Sequence, residues 1–150
     1  MALKPDRNEV YTDISFFMNT VGERGGVVVH QGGGTGPAMD DAAALVAAPA
    51  GFAGVPAGLL LNDVVDHDLT RQHMNWFKDE VQKGSKVTLL RRGFVVTDML
   101  TTTAAPSAGD VAYFDAGGLL TEAVTGSLPV GRFLSGKDTD GYAKVDINIV

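Results

Sequence analysis

Apolar and polar residues alternate most regularly at the end of the chain. Val145, Ile147 and Ile149 fall on one side, and Lys144, Asp146 and Asn148 on the other. A period of two predicts a half-buried strand over Tyr142–Val150. Val130–Ser135 is a second strand candidate, joined to the first by a stretch that ends in Asp138-Thr139-Asp140-Gly141, a turn sequence. Val111–Phe114 and Leu119–Glu122 flank Asp115-Ala116-Gly117-Gly118 in the same way. Lys86–Leu90 and Phe94–Thr97 flank Arg91-Arg92-Gly93, which predicts a third hairpin with a short Gly-containing tip. Hairpins in such close succession predict a mainly β fold, with a small antiparallel β-barrel or sandwich in the C-terminal half.

The first half is less regular. Met1–Asn19 is polar and mixed apart from Phe16-Phe17-Met18. With Pro5 and its charged neighbours, this predicts an extended N-terminal arm over residues 1–24, ahead of a single β-rich domain over 25–150. Adjacent strand residues point to opposite faces, so Phe16 and Phe17 cannot both enter one small core. Val27-Val28-Val29-His30-Gln31 is a β-branched run between glycines and predicts a strand. Residues 32–61 hold seven Gly, nine Ala and three Pro, with Asp40 and Asp41 as the only charges. This Ala/Gly-rich segment accommodates at most one or two short helices. The first runs from Asp40 through Ala48, capped by Asp and stopped by Pro49. Leu59–Val65 is a buried-strand candidate. Further on, Asp66–Lys83 reads two ways: Leu69, His73, Trp76, Phe77 and Val81 share one helical stripe that Gly84 would end, and a loop crossing a neighbouring subunit is the alternative.

Composition narrows the class. Hydrophobic residues make up 45% and charged ones 20% of the 150-residue chain, which is the balance of a folded domain. The net charge of −6 leaves no basic excess for binding a phosphate backbone, so no nucleic-acid partner is expected. The chain has no cysteine, which removes disulfides, thiolate metal sites and a thiol nucleophile. Nineteen glycines suit turn-rich β structure better than helix. The first residues lack the apolar stretch of a secretory signal, and no apolar run reaches membrane-span length.

Candidate chemistry is thin. Gly32–Gly36 invites a phosphate loop, but Pro37 and Ala38 follow where that loop needs Lys and Ser or Thr. His67 and His73 are six apart, on different faces of a helix, and His30 is remote from both. Asp138–Gly141 starts like a calcium loop, yet Lys144 and Ile149 fall where ligands belong. The nucleophile pattern Gly-x-Ser-x-Gly is absent. No enzyme, cofactor, metal or small-molecule substrate is expected. The candidates for contact with a partner are Arg7, Tyr11, Phe16 and Phe17 in the arm, Trp76 and Phe77, and the basic pair Arg91 and Arg92. Trp and Phe of this kind are either core or interface anchors.

The C-terminal half also carries a recognisable order of features. Gly93-Phe94-Val95-Val96-Thr97 is followed by Gly109-Asp110-Val111-Ala112-Tyr113 and Gly118-Leu119-Leu120-Thr121. Gly131-Arg132-Phe133-Leu134-Ser135 and Asp140-Gly141-Tyr142-Ala143-Lys144-Val145 close the series. Over about residues 83–150 this resembles the capsid decoration, or cement, proteins of tailed bacteriophages. Tail-tube and baseplate β-domains share such turns and are the alternative. The resemblance implies a β-barrel-like body, a homotrimer, and a place on the outer capsid surface after synthesis in the host cytoplasm. It implies the major capsid protein as partner, and an N-terminal arm reaching over neighbouring subunits. The Ala/Gly/Pro-rich segment has no counterpart in that pattern.

Overall fold

The structure, a computed structural model, describes residues 3–4, 6–31, 45–50, 54–63, 80–81, 83–84 and 86–149. Among these residues every regular element is a strand. In chain order they are β1 (Asn8–Met18), β2 (Gly22–Glu23), β3 (Val27–His30), β4 (Leu45–Ala47), β5 (Pro56–Asp63) and β6 (Glu80–Val81). Then follow β7 (Lys86–Thr97), β8 (Val111–Phe114), β9 (Leu120–Thr121), β10 (Gly131–Phe133) and β11 (Ala143–Asn148). The mainly β class is as the sequence predicts.

One strand organises the rest. β7 is continuous for 12 residues, so Arg91-Arg92-Gly93 is not the tip of a hairpin. Both of its edges are occupied. Along one edge β1 runs antiparallel, from Phe17 opposite Lys86 to Asn8 opposite Phe94, and Leu3 adds a bridge to Thr97. The other edge is shared. β5 takes the first part, with Leu59 opposite Leu90, and β11 takes the second, with Asn148 opposite Arg92 through Ala143 opposite Thr97. Gly93 lies next to this change of partner, with φ of 138°. Of the residues expected as an arm, Asn8–Met18 are extended and lie along β7.

The pairing closes on itself. β1 also joins β4, β4 joins β3, β3 joins β5, and β5 returns to β7. From β7 the sheet continues through β11, β10, β8 and β9. The last two hairpins follow the sequence reading. At the β8–β9 turn, Asp115 Oδ1 accepts from the amides of Gly117 and Leu119 at 2.8 and 2.9 Å. Before β11, Asp138 Oδ1 accepts from Asp140 and Tyr142.

Two cores result. Met18, Val28, Val46, Ala57, Leu60, Val87 and Leu89 form the smaller one, inside the ring. Leu59, Leu61, Leu90, Val95, Phe114, Phe133, Val145 and Ile147 belong to the larger. β3, β5 and β7 send side chains to both, which is why Leu59-Leu60-Leu61 is an unbroken apolar run. Leu90 and Val95 face the same core although five residues apart. The alternation therefore slips by one between them, and the register shows the extra residue of β7 at Arg91, since Leu90 and Arg92 face the consecutive residues Thr12 and Tyr11.

Two helix expectations change. Leu45–Ala47, the end of the segment predicted helical from Asp40, is strand β4, held between Phe17–Met18 and Val29–His30. Its Val46 is fully buried, and this packing overrides the helix preference of the surrounding alanines. Residues 40–44 lie outside the described residues. Of the second predicted helix, Glu80–Val81 is strand β6, paired with β2. The remainder, with Trp76 and Phe77, lies outside the described residues.

Candidate functional site

The contact residues expected from the sequence fall into two places. Arg7, Tyr11, Phe16 and Phe17 lie on or beside β1, and Arg91 and Arg92 lie on β7. The structure brings these six into one strip, with Tyr11 directly opposite Arg92. Trp76, Phe77, the Gly32–Gly36 loop, His67 and His73 are outside the described residues.

The strip is open because β1 has one neighbour for most of its length. Among the described residues only β7 pairs with Asn8–Phe16, and β4 joins at Phe17 and Met18. Accordingly Asn8–Thr12 are all exposed, whereas Phe16 and Phe17 are half-buried and Met18 is buried. Three irregularities mark the pairing of β1 with β7, between Glu9 and Tyr11, Tyr11 and Thr12, and Asp13 and Phe16; the first and last put extra residues on β1, the second puts Arg91 extra on β7. At the last of these the Asp13 carboxylate accepts from the Ser15 amide at 2.9 Å and from the Ser15 hydroxyl. Arg7 Nε is 2.7 Å from Glu9 Oε1. At the far end, the Lys86 ammonium lies 5.7 Å from the Phe17 ring centroid.

Phe16 turns toward the small core and meets His30, with ring centroids 5.5 Å apart. Desolvation lowers the His30 pKa from its ordinary value, and the nearby Arg91 charge adds to this. The Asp13 carboxylate opposes both. Thus Asp13 supports the irregularity before Phe16 and faces the imidazole, while Arg91 lends positive charge to the same spot.

Sequence reasoning named Tyr11 but missed Val10 and Ile14, the other exposed apolar residues of the strip. Val10 is 68% exposed, and Tyr11 and Ile14 are also open. A strand with both faces wet looks locally like any polar arm, so only the pairing reveals it. It also missed Val124 and Leu128, in the connection between β9 and β10, where Val124 is 79% exposed. That connection is pinned. Thr125 Oγ1 donates to the Phe114 carbonyl at 2.8 Å, and the Phe114 amide donates to Ser127 Oγ at 3.2 Å.

Hollows also open among the described residues. One of about 460 Å³ lies beside Val21, Glu23, Val27, Met99 and Leu119. Another, of about 360 Å³, lies over Val111, Arg132, Asp146 and Asn148. There Arg132 Nη1 donates to the Gly109 carbonyl at 2.8 Å. Among the described residues no group of three His, Asp or Glu side chains is placed to hold a metal ion. What the two surfaces share is exposed apolar side chains on hydrogen-bonded backbone.

No curated protein matches the chain. A family model does, described as "Structural cement protein (E217 gp24/Pam3 gp6)", and the match runs over residues 6–148. It thus takes in β1, the whole sheet and both open surfaces, and on that ground the chain belongs to the phage structural cement proteins, components of the virion capsid.

Proposed function

We propose that this protein binds across adjacent major capsid protein subunits on the outer surface of the phage head, as a homotrimer, and holds the shell against expansion and heat. The observation that carries this reading is that exposed apolar side chains occur on two separate parts of one paired sheet, on β1 and on the β9–β10 connection bonded to β8. Asn8, Phe94, Asp146, Arg132 and Val111 stand opposite one another on successive strands. Four strand spacings make the row about 19 Å long. At the β1 end are Val10, Tyr11 and Ile14, with Arg92 of β7 opposite Tyr11. The β9–β10 connection, bonded to Phe114 of β8, carries Val124 and Leu128. A body with two such surfaces can touch two subunits at once, which is what a cement must do.

The action is by mass action alone. A ligand that binds the assembled shell and not its disordered subunits stabilises the shell by about 2.7 kcal/mol at a hundred times its dissociation constant. The test uses purified empty shells that lack the protein. Added protein should co-sediment with them and raise their disruption temperature in calorimetry. In solution it should weigh three times the 15.7 kDa chain. Failure to co-sediment would remove the reading, as would gold-labelled protein found on the tail instead of the head.

A further inference from the structure

We propose that the outer edge of β1, over residues 8–16, takes up an extended segment of the capsid subunit as an added strand, and that this segment carries basic side chains. The inference rests on the capsid-binding reading and names the chemistry of the contact.

The register shows which edge is free. Phe17 meets Lys86 on one side and Leu45 on the other, so both its edges are used. From Asn8 to Phe16 the β7 side is used, and among the described residues the opposite side pairs with nothing. A strand directs alternate amide and carbonyl groups to each edge, so this stretch offers a row of donors and acceptors that no described strand pairs. Strand addition to such an edge is a general mode of peptide capture. The irregularities in the pairing of β1 with β7 twist the edge, so a flat strand fits poorly and indiscriminate pairing is disfavoured.

Charge selects the occupant. Residues 6–16 carry three carboxylates, on Asp6, Glu9 and Asp13, against the single guanidinium of Arg7. That guanidinium already pairs with Glu9. A second copy of β1 would bring the same acidic excess to the seam, where like charges opposite each other are unfavourable. A segment with Lys or Arg facing Glu9 and Asp13, and small or apolar residues facing Val10 and Ile14, complements the edge.

Hydrogen exchange on the free protein and on protein bound to empty shells provides the test. In the free protein, roughly half of the amides from Asn8 to Phe16 should exchange fast, and on the shell these same amides should become slow. Slow exchange of all of them in the free protein would show that the edge is already covered, and would overturn the proposal. Continued fast exchange on the shell would also overturn it while leaving capsid binding intact. Absence of shell binding would remove both readings. As a second arm, Glu9→Lys should weaken shell binding by about three- to thirtyfold at low salt, with the difference shrinking as salt rises. Unchanged affinity at low salt would count against a basic partner. Glu9 is on the surface, so the melting temperature of the variant should match the parent and report that the fold survives.

Discussion

Gly93→Ala perturbs this fold where β1 approaches β7 most closely. A Cβ built at Gly93 would stand 2.0 Å from the Asn8 carbonyl oxygen, and the residue's φ of 138° is one that L side chains rarely adopt. The two costs are separable. Backbone strain of this kind amounts to about 1–3 kcal/mol. Relieving the overlap requires β1 to move by more than 1 Å at Asn8 and Glu9, which forfeits about two ladder hydrogen bonds at about 1 kcal/mol each. The sum is about 3–5 kcal/mol, a large share of the 5–15 kcal/mol typical of a domain. For a chain of this size it corresponds to a fall in Tm of about 6–20 °C. Gly84→Ala serves as the control. Its φ is also positive, at 88°, but a Cβ there meets nothing within 4 Å, so it should lose about 1 kcal/mol by strain alone. Denaturant midpoints at constant m-value give both numbers, and hydrogen exchange at Asn8–Thr12 reports whether β1 is the part that loosens. If Gly93→Ala lies within 1 kcal/mol of Gly84→Ala, the close approach of β1 to β7 has no energetic weight and the reasoning fails.

Other perturbations test other parts. The neutral form of His30 is favoured in the fold, since its pKa is lowered by burial and by Arg91. Its contribution to stability is full above the ordinary His pKa near 6.5 and falls as pH drops through the lower folded value. His30→Gln should flatten the stability profile below pH 6.5, and an unchanged acid limb in urea titrations would refute this. Ser127→Ala removes the acceptor of the buried Phe114 amide and should cost about 1–3 kcal/mol in denaturant midpoints. Val124→Asp, on a side chain 79% exposed in the same connection, should stay within about 0.5 kcal/mol of the parent.

The parts of the fold that were legible in the sequence are those settled by near neighbours. Asp115 and Asp138 each fold their own turn through a side-chain oxygen, so the hairpins around them could be read from a few residues. Val145, Ile147 and Ile149 alternate cleanly because β11 has one buried face. The misreadings lie where distant strands decide. A glycine after two arginines resembles a hairpin tip until β1 and β11 are known to lie along it. Leu45-Val46-Ala47 sits among alanines that favour helix, yet Val46 is drawn into the ring beside Met18 and Val28. The same holds for the site: nothing near Tyr11 in sequence announces that Arg92 stands opposite.

The two-surface reading of the contact has its own decisive consequence. The row from Asn8 to Val111 is built of backbone-paired strands, so the two surfaces hold a fixed separation and little entropy is lost in docking both. Binding at one surface then raises the effective concentration of the other. Tyr11→Ala and Leu128→Asp should each weaken attachment to assembled shells by tenfold or more, because either change turns a two-point contact into a one-point contact. Toward unassembled capsid subunits, which offer one point at a time, each variant loses only the contact it removes. The loss on shells should therefore exceed the loss on subunits for both variants, by sedimentation of shells and by calorimetry with subunits. Leu128→Asp protein that binds shells as the parent does would restrict the contact to the β1 strip. The clamp across subunits would then have to be abandoned, while membership of the cement family would stand.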